Sequence, residues 1–299
     1  KKLCGKYTCE EIVNTLRTMM MARLGKKLGG FGDLKLNVGG LEAHAERLGE
    51  GGEALLLLHG WGPRSVSLEK NLLPLAQRLK GQYRVCALDF PGHGETPAQG
   101  EDWGVPEYAQ WTLQAMDALG IHQTTLIAHS FGGRVALYLA AHHPERVKKL
   151  ILTGCAGLRE KPGPRAQLRA IGFKAGRVAL ELTGRIPPLK AWAGTTLGML
   201  REAMSSADYL LTPENLRGSF SKIVRQDLRP LLPGIGHQTL LVWGDKDRAT
   251  PLWMGKAMAQ AMPNATLLVY EGDDHWAYQN QLARFVNAVE AFLEEDFLL

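Results

Sequence analysis

Residues 124–142 read Thr-Thr-Leu-Ile-Ala-His-Ser-Phe-Gly-Gly-Arg-Val-Ala-Leu-Tyr-Leu-Ala-Ala-His, and no other stretch constrains the fold as tightly. The apolar run 126–128 predicts a buried strand, and the apolar spacing over 131–142 predicts a helix. Ser130 falls at the turn between them. A serine at such a turn adopts a strained backbone, tolerable only if small residues stand two positions before it and two after. Ala128 and Gly132 meet that condition. Taken alone, the pattern also suits a serine that merely caps the helix.

Strand and helix alternate along most of the chain. Strands are predicted at 34–38 and 41–48, joined by Gly39-Gly40 as in a hairpin, then at 54–58, 83–88, 147–152, 239–243 and 265–270. Helices are predicted over 66–80, 105–119 and 278–294. Such alternation implies a parallel sheet with helices on both faces. The rhythm stops between about 157 and 236. There Lys161-Pro162-Gly163-Pro164 precedes a helical pattern with Leu168, Ile171, Ala175, Val178 and Leu182 on one side and Arg165, Arg169 and Arg177 on the other. From 157 to 184 six basic residues (Arg159, Lys161, Arg165, Arg169, Lys174, Arg177) face two acidic ones (Glu160, Glu181). Two readings stay open for them, a solvated helix face and an attraction for an anionic substrate or membrane surface.

At the start, Thr8 and Glu11 form a capping box, and Ile12, Val13, Leu16, Met19, Met20 and Leu24 give residues 8–24 an apolar face that stops at Gly25. This helix belongs to an extension, 1–32, for which core packing, dimerisation and membrane contact are open. Lys1-Lys2 is like a signal-peptide n-region, but Lys6, Glu10 and Glu11 follow in place of an apolar run. The missing initiator methionine leaves open that something upstream was removed. No apolar run approaches the ~20 residues that cross a bilayer.

With 45% apolar and 22% charged residues over 299, the composition is that of a folded globular chain. A net charge of +5, without basic runs interleaved with aromatics, argues against nucleic-acid binding. Cys4, Cys9, Cys86 and Cys155 are scattered with no C-x-x-C spacing, so a reduced, cytoplasmic protein with no zinc site is expected; no metal or cofactor is expected either.

Four further motifs follow predicted strands: His59-Gly60-Trp61-Gly62, Asp89-Phe90-Pro91-Gly92-His93-Gly94, Gly244-Asp245-Lys246-Asp247 running to Pro251, and Gly272-Asp273-Asp274-His275. With the Ser130 turn, they resemble the α/β-hydrolase family in correct order over residues 33–299. The departure is Ala128, where the G-x-S-x-G pattern has glycine. The resemblance implies an α/β-hydrolase fold, a mostly parallel eight-stranded sheet flanked by helices, with a helical cap (157–236) between core segments 33–156 and 237–299. It implies a Ser130, Asp247, His275 triad, with Asp247 selected over Asp245 by spacing. The backbone N–H groups of Trp61 and Phe131 would form the oxyanion hole. Trp61, Phe131 and Trp276 would wall the substrate site. His59 is read as holding its loop, Asp89 and His93 as mainly architectural, and His142 and His143 as surface residues at a helix end. Some family members carry the acid after the sixth strand, but Thr153-Gly154-Cys155 offers no carboxylate. Ser130 excludes the aspartate-nucleophile branch.

A serine hydroxyl needs a base within about 3 Å to lose its proton, and imidazole both takes that proton and returns it to a leaving group. The carboxylate holds the other ring nitrogen. The expected activity is that of a carboxylesterase on small to medium acyl esters. The same triad also serves carbon–carbon hydrolases, thioesterases, lactonases and peptidases, and a non-catalytic ligand sensor is a third reading. A small carbonyl substrate is the expected partner, and monomer and homodimer both remain open.

Overall fold

The computed structural model describes residues 32–62, 72–160, 163–183, 186–204 and 207–294. The N-terminal helix expected at 8–24, Cys4, Cys9 and the first part of the helix expected at 66–80 lie outside them.

Gly39 and Gly40 both take positive φ, 59° and 84°, which is the backbone that joins two right-twisted strands by a two-residue turn. They link β1 (Gly32–Val38) to β2 (Leu41–Leu48) as an antiparallel hairpin. β3 (Ala54–Leu58) is buried along its whole length. Leu56 and Leu58 point to one face of the sheet, and Leu55 and Leu57 to the other. Each such leucine contributes roughly 1.5–3 kcal/mol by leaving water. Then follow α1 (Leu73–Leu79), β4 (Arg84–Leu88), α2 (Val105–Ala118), β5 (Thr124–His129), α3 (Phe131–His142) and β6 (Val147–Thr153). After a long helical stretch come β7 (Thr239–Gly244) and β8 (Ala265–Tyr270). The sheet order is β1-β2-β4-β3-β5-β6-β7-β8, antiparallel through β1, β2 and β4 and parallel beyond. β5 lies at the centre, so the loop after it opens mid-sheet.

The helical stretch between β6 and β7 contains α4 (Pro164–Thr183), α5 (Lys190–Met204), α6 (Ala207–Leu211) and α7 (Arg217–Arg225). Its second half is bound to the core. Arg134 on α3, buried, donates to the carbonyls of Ile223 and Gln226, while Ser219 Oγ accepts from Gln99 Nε2 and Trp103 N–H. Its first half differs: α4 and α5 pack chiefly on each other. Amphipathic helices ordinarily bury the apolar stripe. On α4, Phe173 and Leu180 are half-buried, whereas Leu168, Ile171, Val178 and Leu182 face outward.

After α8 (Trp253–Ala261), the helix expected over 278–294 is broken into α9 (Ala277–Asn280) and α10 (Leu282–Glu294). Gln281, between them, leaves the helical conformation (φ −118°, ψ 48°), and its side-chain amide binds the Asp273 carboxylate.

Candidate active site

Among the described residues Ser130 is the one non-glycine with positive φ, at φ 51° and ψ −108°. That conformation costs on the order of 1–3 kcal/mol and persists because the surroundings leave no alternative. Ser130 N–H donates to Thr153 O at 3.1 Å, and Ser130 O accepts from the amides of Gly133 and Ala156. Two residues on, a Cβ at Gly132 would stand 2.4 Å from Leu58 O, so α3 can start against β3 only with glycine there. Gly132 N–H also donates to His59 O at 3.0 Å, which fixes the loop after β3 to the serine turn.

That loop is built around His59. Its Nδ1–H donates to Gly60 O at 2.6 Å, and its Nε2 accepts from Phe90 N–H at 3.0 Å. Both nitrogens are occupied, and burial holds the ring's pKa down, so His59 is a neutral strut. A Cβ on Gly60 would lie 3.3 Å from Ser130 Cβ. The amides of Trp61 and Phe131 thus belong to loops that meet at the serine, and neither finds an acceptor among the described residues. The rings of Trp61 and Phe131 meet edge to face at 5.2 Å, and Phe220 of α7 approaches Trp61 at 5.5 Å. Trp61 Nε1 donates to Thr212 Oγ1 at 3.0 Å, joining this wall to the helical stretch.

Asp247 and His275 are joined. His275 Nδ1–H donates to Asp247 Oδ2 at 2.8 Å. The other carboxylate oxygen accepts from Ala249 N–H and Thr250 N–H at 2.9 and 2.8 Å, and Thr250 Oγ1 stands 2.7 Å from Oδ2. Burial alone would raise this carboxyl's pKa. The His275 hydrogen bond and charge, with the Thr250 contacts, outweigh it and hold Asp247 below its ordinary value. Asp245 instead accepts from Gly272 N–H and ties two loops together. Gly154 has φ 48°, and a Cβ there would lie 3.0 Å from His275 Nδ1 and 3.3 Å from Asp247 Oδ2. The loop after β6 therefore passes directly beside the pair.

His129 connects this pair to Ser130. Its Nε2–H donates to His275 O at 3.1 Å, and the two rings are 4.6 Å apart. The ring is buried and its pKa is driven well down by desolvation, so it stays neutral. Among the described residues no hydrogen bond joins Ser130 Oγ to His275 Nε2, whereas the imidazole–carboxylate bond is formed.

Other residues singled out in the sequence fall elsewhere. Asp89 and His93 are not hydrogen-bonded to each other. Asp89 Oδ2 accepts from His44 Nδ1–H at 2.6 Å and Glu95 N–H at 3.0 Å. His93 donates to Pro91 O and is buried beside Trp61 and Phe131, with its pKa lowered to about 3 by burial. Trp276 packs with Tyr278 and His129 on the face of Leu55 and Leu57, while Trp61 and Phe131 pack on the other. Cys86 and Cys155 are buried and unpaired. His129, Thr250 and His44 had drawn no attention in the sequence. A histidine beside the turn serine was the one available signal for His129, because its partner lies 146 residues away.

Family models match two parts of the chain, "alpha/beta hydrolase fold" over residues 53–176 and "TAP-like protein" over 224–296. The 2-hydroxymuconate semialdehyde hydrolase of Pseudomonas putida is 32% identical, covering 83% of this chain and 89% of its own. A 2-hydroxy-6-oxononadienedioate/2-hydroxy-6-oxononatrienedioate hydrolase of Burkholderia vietnamiensis is 30% identical over 85% and 91%. Among solved structures, a membrane phospholipase A superposes with a TM-score of 0.69 at 25% identity, covering 94% of this chain and 92% of that one. Likeness to named hydrolases over more than four fifths of the chain, with the family model over 53–176, places this protein in the α/β-hydrolase fold family, as a hydrolase.

Proposed function

We propose that the chain cleaves carboxylic esters through an acyl-enzyme on Ser130. The observation that carries this reading is the Ser130 backbone, whose strained φ and ψ a mere capping serine has no reason to adopt. In the reaction Ser130 Oγ attacks the carbonyl carbon and its proton passes to His275 Nε2. Asp247 holds the imidazole through Nδ1–H and stabilises the imidazolium that forms. The N–H groups of Trp61 and Phe131 receive the oxyanion, each worth about 3 kcal/mol. His275 then protonates the departing alcohol, and water, deprotonated by the same imidazole, releases the acid.

Residues 157–236 act in this reading as a cap. Thr212 and Phe220 meet Trp61, and the apolar rings of Trp61, Phe131 and Phe220 suit a small or medium acyl chain. Trp276 supports the His275 loop from behind. The likeness to a phospholipase A favours ester substrates. A second reading, hydrolysis of a carbon–carbon bond beside a ketone, is favoured by the two relatives named for such dienoate and semialdehyde substrates.

Steady-state kcat/KM on p-nitrophenyl esters and on a vinylogous diketone separates the two. Esters turned over at least about tenfold faster support the first reading, and the reverse order replaces it with the second. A fluorophosphonate is expected to add to Ser130, found by peptide mass. Labelling elsewhere in active protein would refute both.

A further inference from the structure

The apolar stripe of α4 points away from the protein. Ile171 is 63% exposed and Leu168 68%, and the stripe continues through Val178 and Leu182. Past the end of α4 the same kind of surface reappears, with Leu189 and Trp192 exposed, the latter by 58%, and Met199 on α5 by 65%. These helices pack on each other, and on α4 the half-buried Phe173 and Leu180 lie on the side opposite the exposed stripe. A pair of helices that turns its more apolar side to water has the wrong orientation for a free surface.

Charge is distributed just as unevenly. Residues 164–204 hold seven basic and two acidic residues, against 35 and 30 in the whole chain. The chain's entire net charge of +5 thus resides in these 41 residues, and the other 258 are balanced at 28 of each sign. Lys174 and Lys190 are exposed, and Arg177 is paired to Glu181 at 3.4 Å in an exposed i,i+4 contact. Apolar residues in a row, flanked by cations and carrying an exposed tryptophan near the turn, match the chemistry of a helix that lies in the headgroup layer. No helix among the described residues is long and apolar enough to cross a membrane, so contact by this arm would be lateral.

We infer that α4 and α5 form a docking arm for a lipid surface bearing anionic headgroups, with the α4 stripe entering the acyl boundary and the basic residues meeting the phosphates. This is independent of which bond Ser130 attacks. The full chain is tested by co-sedimentation with vesicles of phosphatidylcholine alone and with about one third phosphatidylglycerol. Binding to the anionic vesicles is expected to be about tenfold stronger than to neutral ones and to fall as salt shortens the screening length from about 10 Å to about 3 Å. An Ile171→Glu, Val178→Glu, Leu182→Glu variant is expected to lose binding by tenfold or more while keeping the wild-type circular dichroism and melting midpoint. Lys174→Glu with Lys190→Glu should remove most of the anionic preference. The inference is overturned if wild type ignores both vesicles, or if the triple variant binds as wild type does. It is also overturned if the stripe proves to join two copies, so that the triple variant turns a dimer into a monomer without changing vesicle binding.

Discussion

The sheet edge around Ser130 and the α4–α5 arm both carry leucine, isoleucine and valine, and these end in opposite states. In β3, β5 and β7 every residue is buried, and the strained turn at Ser130 is held by bonds to the ends of β6 and β3 and within its own helix. In α4 the stripe of Leu168, Ile171, Val178 and Leu182 faces water. Apolar periodicity states which face could be buried, and only a neighbour decides whether it is. Tight packing lets the sheet edge hold an unfavourable backbone in place. The arm, with fewer partners, is free to contribute a surface.

The largest effect is expected where strain and chemistry coincide. Ser130→Ala should lower kcat on an activated ester by about 10⁴-fold or more, with little change in melting midpoint. Retained turnover would detach the strained turn from the reaction. Next, truncation should separate the two regions by stability. Leu57→Ala, at 0% exposure, is expected to cost about 2–5 kcal/mol in urea denaturation, and Leu182→Ala, at 53%, less than about 0.5 kcal/mol. Equal costs would mean that the arm is packed after all.

A smaller effect tests how the sheet edge holds its loops. His129→Ala should lower kcat about 10- to 100-fold by releasing the His275 backbone, because small misplacements near a reacting centre cost that much. His129→Gln, which keeps a donor, should recover part of the loss, and KM should move little. No change in kcat would make the ring filler. The smallest effect concerns pH. The hydrogen bond to Asp89 raises the pKa of His44 above its ordinary 6.5. Its contribution to stability is therefore full below about pH 6.5 and is lost as pH rises through the folded value. The stability gap between wild type and His44→Gln should shrink from pH 6 to pH 9 by less than about 1 kcal/mol. A gap that widened would reverse the assigned proton.

Much of the sheet edge was legible in the sequence because its signals are local. Strand, small residue, serine, small residue and helix follow one another within 19 positions, and Asp247 is set apart from Asp245 by its distance to Pro251. The serine's special backbone follows from the same short stretch. The partners of Asp89 and His129 were not legible. Asp89 and His93 read as architectural parts of one loop, yet the side chain that Asp89 binds is His44, 45 residues earlier. No pattern within a window of sequence encodes that.

What the amino-acid order determined by itself was which residues stand at the carboxyl ends of the strands and which faces are apolar, since both depend on spacing along one segment. Tertiary structure alone decided which loops hold one another, that Trp61 and Trp276 lie on opposite faces, and that the α4 stripe turns outward. Those outcomes depend on contacts between segments far apart in the chain, where the free energy of a side chain is set by whatever lies next to it in space.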